Sequence, residues 1–342
     1  MQDARCLGNR VLYPFVGGKY DMARVISDVS TAAAALRRGE LVAFATETVY
    51  GLGGVALWPE TVARIFEVKG RPTFDPLIVH VPDMASVREL VTVVPPLAER
   101  LAEAFWPGPL TLVLPKASQI PDLVTSGLMS VAVRVPQHPL ALALLREVGL
   151  PIAAPSANLF GRVSPTTAAH VQDQLRDRIE WILDGGPCAV GVESTVLAIP
   201  DSGPPTLLRP GGVSLEEIQA LIGPVRLQEE PSSATSAQLA PGSLPQHYAP
   251  ATPISMADLS QPVPAGRWGA LAFQQCPHPE RYTAVEILSA RGSLPEAAAQ
   301  LFAALRRLDA RGLDGILTES FPKAGLGRAI NDRLRRAAYR EA

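Results

Sequence analysis

The chain has 342 residues, 47% hydrophobic and 19% charged, with a formal net charge of −2. That much apolar side chain excludes a disordered or coiled-coil chain, and near-neutrality excludes a globally basic nucleic-acid binder. The length predicts about two domains, and the scattered Cys6, Cys188 and Cys276, with no Cys-x-x-Cys pair, argue against a disulfide framework or a zinc site.

Taken in order, the N-terminal stretch carries no usable motif. Gly17-Gly18-Lys19 is followed by Tyr20 where a phosphate loop needs Ser or Thr, so residues 1–25 read as a lead-in. There is no signal-like apolar core and no run approaching about 18 apolar residues, which predicts a cytoplasmic chain without a membrane span. Ser30 is the expected N-cap of an Ala-rich helix over 31–38, closed by Gly39. A buried strand over 41–44 then empties into Thr46-Glu47-Thr48-Val49-Tyr50-Gly51, the kind of strand end beyond which ligands bind in α/β folds.

Val62, Ile65 and Phe66 recur at helical spacing and predict a helix over 61–68 that carries Lys69 and Arg71 to its C-terminal end. A helix-dipole contact alone accounts for such cations, but Gly70 and Pro72 pin this loop before an apolar strand over 77–81 that contains His80. A helix over 99–105 and a strand over 110–114 follow. In the next strand Val131, Val133 and Val135 share one face and Arg134 points the other way with Ala132. An arginine in so apolar a strand needs an anion, an internal carboxylate or solvent.

A strand over 151–154 ends in Ser156-Ala157-Asn158, with Ser164 before a helix over 167–175. Gly191-Val192-Glu193-Ser194-Thr195 and Leu208-Arg209-Pro210-Gly211 repeat the pattern of strand, hydroxyl, cation and glycine. After a helix over 214–222, residues 223–251 have the composition of a linker, ending in Gln246-His247-Tyr248-Ala249-Pro250. The remainder reads as a smaller α/β unit, with strands at 268–273, 284–288 and 315–318 and helices at 294–308 and 327–338. Gly325-Leu326-Gly327 before the last helix reads as a packing turn rather than a phosphate cradle.

Without any family, the notable fact is that separate strand ends offer hydroxyls (Thr46, Thr48, Ser156, Ser164, Ser194) and the cations Lys69, Arg71, Arg134 and Arg209. Such a set suits a polyanion together with a small polar substrate. The fingerprints of P-loop, Rossmann dinucleotide, zinc-protease and serine-hydrolase sites are absent. Residue chemistry alone does not name the reaction.

The wording Thr-Glu-Thr-Val-Tyr-Gly-Leu-Gly with Lys-Gly-Arg-Pro resembles the threonylcarbamoyl-AMP synthase family, the YrdC-like proteins. Residues 29–212 resemble its whole catalytic domain. The His-Tyr-Ala-Pro of the linker and Gly-Leu-Gly-x-Ala-Ile-Asn-Asp-Arg-Leu near the end resemble the long, two-domain form. The resemblance implies an α/β fold, a YrdC-like twisted mixed sheet with flanking helices (residues 1–222). A linker reaching over the active site (223–251) and a smaller Rossmann-like α/β domain (252–342) complete it.

It implies a reaction in which L-threonine, bicarbonate or carbon dioxide, and ATP with Mg2+ give threonylcarbamoyl-AMP and pyrophosphate. tRNA-threonylcarbamoyl transferase proteins would use the product, with tRNA contact weak or indirect. By motif position Thr48, His80, Arg134, Ala154 and Ser194 would hold threonine. Arg71, Asp75, Ser130, Ser156, Ser164, Arg209 and the lid-like Tyr248 would hold ATP, and Lys69 and Arg71 would be catalytic. Two departures stand out: Ala45 replaces the usual proline, and Asp75 replaces a common asparagine and adds a negative charge near the phosphates. The alternatives are an RNA-binding module of the same fold, or a carbamoyl-AMP-forming enzyme of the hydrogenase-maturation type.

Overall fold

A computed structural model of the chain describes residues 22–200, 203–228 and 247–339. Cys6, the Gly17-Gly18-Lys19 stretch and residues 229–246 of the expected linker lie outside the described residues. The first unit opens with β1 (Arg24–Ile26) and α1 (Val29–Arg37). The N-cap of α1 is Asp28 rather than Ser30: its carboxylate accepts the Thr31 backbone N–H at 2.8 Å and also complements the helix dipole.

β2 (Val42–Phe44) turns through residues 45–50 into an antiparallel β3 (Gly51–Val55), with Phe44 opposite Gly51. Its glycines depress strand propensity, so the sequence reading does not anticipate β3. They are there for close approach. A Cβ on Gly53 would stand 2.8 Å from the Phe44 ring, and one on Gly54 would stand 2.6 Å from the Thr61 side chain.

There follow α2 (Pro59–Lys69), capped by Gly70 at φ 62°, β4 (Ile78–His80), α3 (Met84–Leu90) and α4 (Pro96–Phe105). Next come β5 (Leu110–Pro115), α5 (Asp122–Thr125), β6 (Ser130–Arg134), α6 (Pro139–Val148) and β7 (Ile152–Ala153). The unit is completed by α7 (Ala168–Leu175), β8 (Trp181–Leu183), β9 (Thr195–Ala198), β10 (Thr206–Arg209), α8 (Leu215–Ile222) and β11 (Arg226–Leu227). These strands form one mixed sheet in the order β1-β8-β2-β3-β7-β4-β6-β5-β9-β10-β11. Because β11 pairs with β10, the sheet reaches into the stretch expected to be linker.

The two faces of the sheet differ. Ala43 and Leu52, with Val79, Val131, Val133 and Leu112, enter the main core with α2, α3, α4 and α7. On the opposite face, Val42 and Phe44 pack under α1 and α6. Beyond β7 that second face carries a small apolar cluster of Ile78, Ala132, Val113, Val196 and Leu208. Val113 and Leu208 of this cluster line an open groove.

The second unit contains β12 (Ile254–Met256), β13 (Trp268–Ala272), β14 (Ala284–Ile287), α9 (Leu294–Asp309), β15 (Gly315–Thr318) and α10 (Gly327–Ala338). Its sheet is wholly parallel, in the order β12-β15-β13-β14. Gly325-Leu326-Gly327 is a packing turn. Gly325 N–H donates to the Glu216 carboxylate at 3.3 Å, and a Cβ on Gly327 would collide with the Pro322 carbonyl. The core of this unit also takes in Val49, Val163 and Val192 from the first unit, together with Tyr248.

Candidate functional site

The site is built by strand register. β4 and β6 run parallel with His80 beside Arg134 and Ile78 beside Ala132, so these four side chains share the open face. The β2–β3 turn brings Thr46 and Thr48 over the same strand ends. An isolated bridge between Gly51 and Ser156 brings in the loop after β7. Arg71 arrives from the end of α2, and Ser194 and Arg209 from the start of β9 and the end of β10.

Together Thr48, Arg71, His80, Arg134, Ala154, Ser156, Ser194, Arg209 and Tyr248 line one cavity of about 40 Å³. All nine are among the side chains singled out from the sequence. Thr46, Glu193 and His247 line it as well.

Arg134 is buried and internally paired. Its Nε donates to the Gly108 carbonyl at 3.2 Å, Nη1 to the Thr48 hydroxyl at 3.0 Å and Nη2 to the Glu47 carboxylate at 2.6 Å. Of the alternatives open for an arginine in this strand, the internal carboxylate is therefore realised. A guanidinium has five N–H donors, so these bonds leave two for a ligand. Thr46 donates to the Val49 carbonyl at 2.6 Å, which leaves Thr48 to donate to Thr46 at 2.9 Å. The hydroxyl row is thus ordered before any substrate arrives.

His80 approaches the Ile78 carbonyl with Nδ1 at 3.3 Å, which assigns the proton to Nδ1 and leaves Nε2 an acceptor. Burial, helped by the Arg134 charge, lowers its pKa to about 3. It is neutral through the physiological range.

The phosphate-binding candidates cluster around His247. Burial, then the charges of Arg71, Lys69, Arg336 and Arg209, hold its imidazole well below the ordinary histidine range. Burial likewise draws down the pKa of Arg71 and Arg209. Arg209 donates from Nη2 to the Ser194 carbonyl at 2.9 Å and to its hydroxyl at 3.2 Å, and that hydroxyl lies 2.7 Å from Thr111. So many desolvated cations favour an incoming anion.

Four of the expected residues stand outside this cavity. The Lys69 ammonium is behind its wall, donating to the Ser156 carbonyl at 2.5 Å and the Asn158 carbonyl at 2.6 Å. It fixes the loop that presents Ser156, and burial lowers its pKa well below the usual lysine range. Asp75 is fully buried against Arg71, with its carboxylate 2.9 Å from Nη2. The extra negative charge is absorbed by that guanidinium. Ser164 donates to Glu193 at 2.6 Å. Ser130 lines a separate groove of about 1200 Å³, with Lys116, Val113, Leu208 and Thr206. The apolar cluster from Ile78 to Leu208 joins that groove to the cavity.

The sequence alone does not mark Glu47, Glu193, His247 and Arg333 as site residues. Glu193 and Arg333 both fall inside quoted motifs, but nothing local distinguishes a buried acid or arginine from a surface one. Among the described residues no group of three or more His, Cys, Asp or Glu is placed to hold a metal ion. No helix among them is long and apolar enough to cross a membrane.

Comparison with known proteins finds two family models in succession. The Sua5/YciO/YrdC family, described as "Telomere recombination", matches residues 34–211. The family described as "Threonylcarbamoyl-AMP synthase, C-terminal domain" matches residues 213–339. A threonylcarbamoyl-AMP synthase of Bacillus subtilis is 46% identical, covering 91% of this chain and 92% of its own length. One from Pyrococcus abyssi is 43% identical, over 91% of this chain and 94% of the relative. The crystal structure of P. abyssi Sua5 complexed with L-threonine superposes with a TM-score of 0.83 at 42% identity, covering 91% of this chain and 94% of that one.

Proposed function

The chain belongs to the threonylcarbamoyl-AMP synthase family, and on that premise we propose that it is an L-threonylcarbamoyladenylate synthase acting as a nucleotidyltransferase. Its substrates would be L-threonine, bicarbonate or CO2, and ATP, with threonylcarbamoyl-AMP and pyrophosphate as products. The observation that carries this reading is a single cavity lined at once by Arg71, Arg134 and Arg209 and by the hydroxyls of Thr48, Ser156 and Ser194. Between it and Ser130 lies an apolar cluster, with Ile78 on the cavity and Val113 and Leu208 on the neighbouring groove.

In this reading threonine lies against Thr48, His80, Arg134, Ala154 and Ser194, with its carboxylate on the two uncommitted N–H groups of Arg134. The relative crystallised with L-threonine supports that choice of ligand. The adenine would lie over the Ile78–Ala132–Val113 floor near Ser130, and the phosphates would face Arg71, Arg209 and the Lys69-braced Ser156 loop. Asp75 and Ser164 would act one residue removed, through Arg71 and Glu193 respectively.

The threonine amine attacks CO2, passes a proton to solvent and becomes a carbamate. A carbamate oxygen then attacks the α-phosphorus, the bond to the β-phosphate oxygen breaks, and pyrophosphate leaves. With a pKa of about 3, His80 is too weak a base to keep the amine's proton, so it orients the substrate as an acceptor. The rest of the catalysis is positioning and charge neutralisation by fixed guanidinium groups. Magnesium would enter on the nucleotide and be held by phosphate oxygens and water, because both oxygens of Glu193 are already bonded.

At about 40 Å³ the cavity is far smaller than threonine and a nucleoside triphosphate together, so in this reading His247 and Tyr248 would shift as substrates bind. The product would serve tRNA-threonylcarbamoyl transferase proteins, and the chain's net charge of −2 fits a weak or indirect tRNA contact.

The test is pyrophosphate release from ATP with threonine and bicarbonate omitted in turn. Dependence on both is expected. Release without threonine would overturn the reading.

A further inference from the structure

Arg333 lies on α10 of the second unit, yet it is fully buried against the first unit's cavity wall. Its Nε donates to Glu193 at 2.9 Å, and its Nη1 donates to the Pro210 carbonyl at 2.8 Å and to Asp332 at 2.7 Å. The guanidinium carbon sits 5.1 Å from the centroid of the Tyr248 ring. Burial works against the charge, but Tyr248, Glu193 and Asp332 outweigh it and keep the guanidinium protonated. Asp332 is shared with Arg336 at 3.1 Å. The remaining nitrogen, Nη2, is buried without a hydrogen-bond partner, so the fold does not saturate this group.

Among the described residues, Glu193 is the only carboxylate lining the cavity. It stands where, on the reading above, a triphosphate must bind. Unneutralised, it would repel that ligand. Arg333 is its counter-ion, and at the same time it stacks on the ring that closes the cavity.

Resting on that reading, we infer that Arg333 is a positioning residue of the nucleotide site, supplied by the second unit: it cancels the Glu193 charge and orients Tyr248, making the cavity hospitable to a nucleoside triphosphate. Removing Arg333 alone exposes a negative charge to the phosphates. Removing Glu193 alone leaves an extra cation. Removing both restores neutrality. A strut that merely ties the two units together has no such signature, because either loss weakens it and the double loss is no better.

The experiment uses the full chain with Arg333→Gln, Glu193→Gln, the double variant and Arg333→Lys. Calorimetry measures the affinity for ATP with Mg2+, and separately for threonine. Arg333→Gln is expected to weaken ATP binding by on the order of tenfold or more, with threonine affinity kept within about twofold. Glu193→Gln should bind ATP at least as tightly as the unsubstituted chain, since its amide oxygen still accepts from Ser164. The double variant should recover most of the loss, and Arg333→Lys should retain most of the affinity.

Equal weakening by both single variants with no recovery in the double overturns the inference, as does parallel loss of ATP and threonine. Should Arg333→Gln fail to fold by circular dichroism, Glu193→Gln still decides, because weaker ATP binding there has the wrong sign. An unsubstituted chain that binds no ATP fails the enzymatic reading itself, before any variant is made.

Discussion

Replacing Arg134 tests two roles for one guanidinium, the observed pairing with Glu47 and the proposed hold on the substrate carboxylate. The side chain is 3% exposed and its partner Glu47 is 7% exposed, with 2.6 Å between the charged atoms. Arg134→Gln leaves Glu47 buried without its cation, and breaking such a pair from one side costs about 3–5 kcal/mol. Glu47 Oε2 already has no hydrogen-bond partner, so nothing nearby takes up the charge. The double variant Glu47→Gln/Arg134→Gln removes that orphan and should recover most of the stability.

It should not recover threonine binding. A charge-assisted bond to the substrate carboxylate contributes about 1.5–3 kcal/mol, which is roughly ten- to hundredfold in affinity. Urea melts give the stability of the native chain and both variants, and calorimetry gives threonine and ATP affinities. Single and double variants are expected to share the threonine defect, differ in stability and keep ATP affinity within a few-fold. Native-like threonine binding in the double variant would refute the assignment of Arg134 to the substrate carboxylate.

Further outcomes follow from the same geometry. Burial, with the nearby Arg306 charge, lowers the pKa of His170 to about 4, and burial with Arg134 lowers that of His80 to about 3. The unfolded chain binds protons near pH 6.5 that the folded chain refuses. Stability is therefore full above pH 6.5 and falls as pH drops toward 4. His170→Asn should flatten part of that slope in melting temperature against pH, and an unchanged slope would refute it.

A Cβ on Gly211 would stand 2.3 Å from the Glu193 carbonyl and 2.4 Å from the backbone of Ser194 and Thr195. Gly211→Ala should cost about 1–3 kcal/mol and raise the threonine requirement by displacing Ser194, so unaltered threonine affinity in calorimetry would refute this. Rejecting serine rests on one methyl group, worth about 1–3 kcal/mol, whereas valine lacks the hydroxyl that the pocket must satisfy. Pyrophosphate release should be measurable with serine and slight with valine, and comparable valine rates would show the pocket to be misassigned.

Much of the site was legible because its signals are local. Alternation alone put Arg134 on the face opposite Val131, Val133 and Val135, and the core bears this out. Helical spacing delivered Lys69 and Arg71 to the end of α2. What was hidden is non-local. That His80 stands beside Arg134 follows from a parallel β4–β6 register, which no spacing encodes. Glu47 partners a residue 87 positions away, and Glu193 one 140 positions away. Lys69 illustrates the converse: its place in the chain was evident, but the carbonyls that turn its ammonium away from the cavity belong to a distant loop. β3 escaped because propensity disfavours glycine, and only the neighbouring Phe44 ring and Thr61 explain why glycine stands there.

The valines at 49, 163 and 192 belong by chain order to the larger unit, yet they are packed into the core of the smaller one. At Gly191 the contact is backbone on backbone: a Cβ there would lie 2.4 Å from the Cα of Ala299 in α9. The chain is accordingly not divisible at its apparent seam. Cutting it after residue 222 would yield not a minimal enzyme but a fragment with a raw apolar scar beside its own active site, prone to self-association. A loss of activity on truncation would then report on solubility as much as on chemistry. Graft and deletion experiments on this architecture should first replace Val163 and Val192 with polar side chains and leave Val49, which lines the cavity itself, before the function of the missing part is judged.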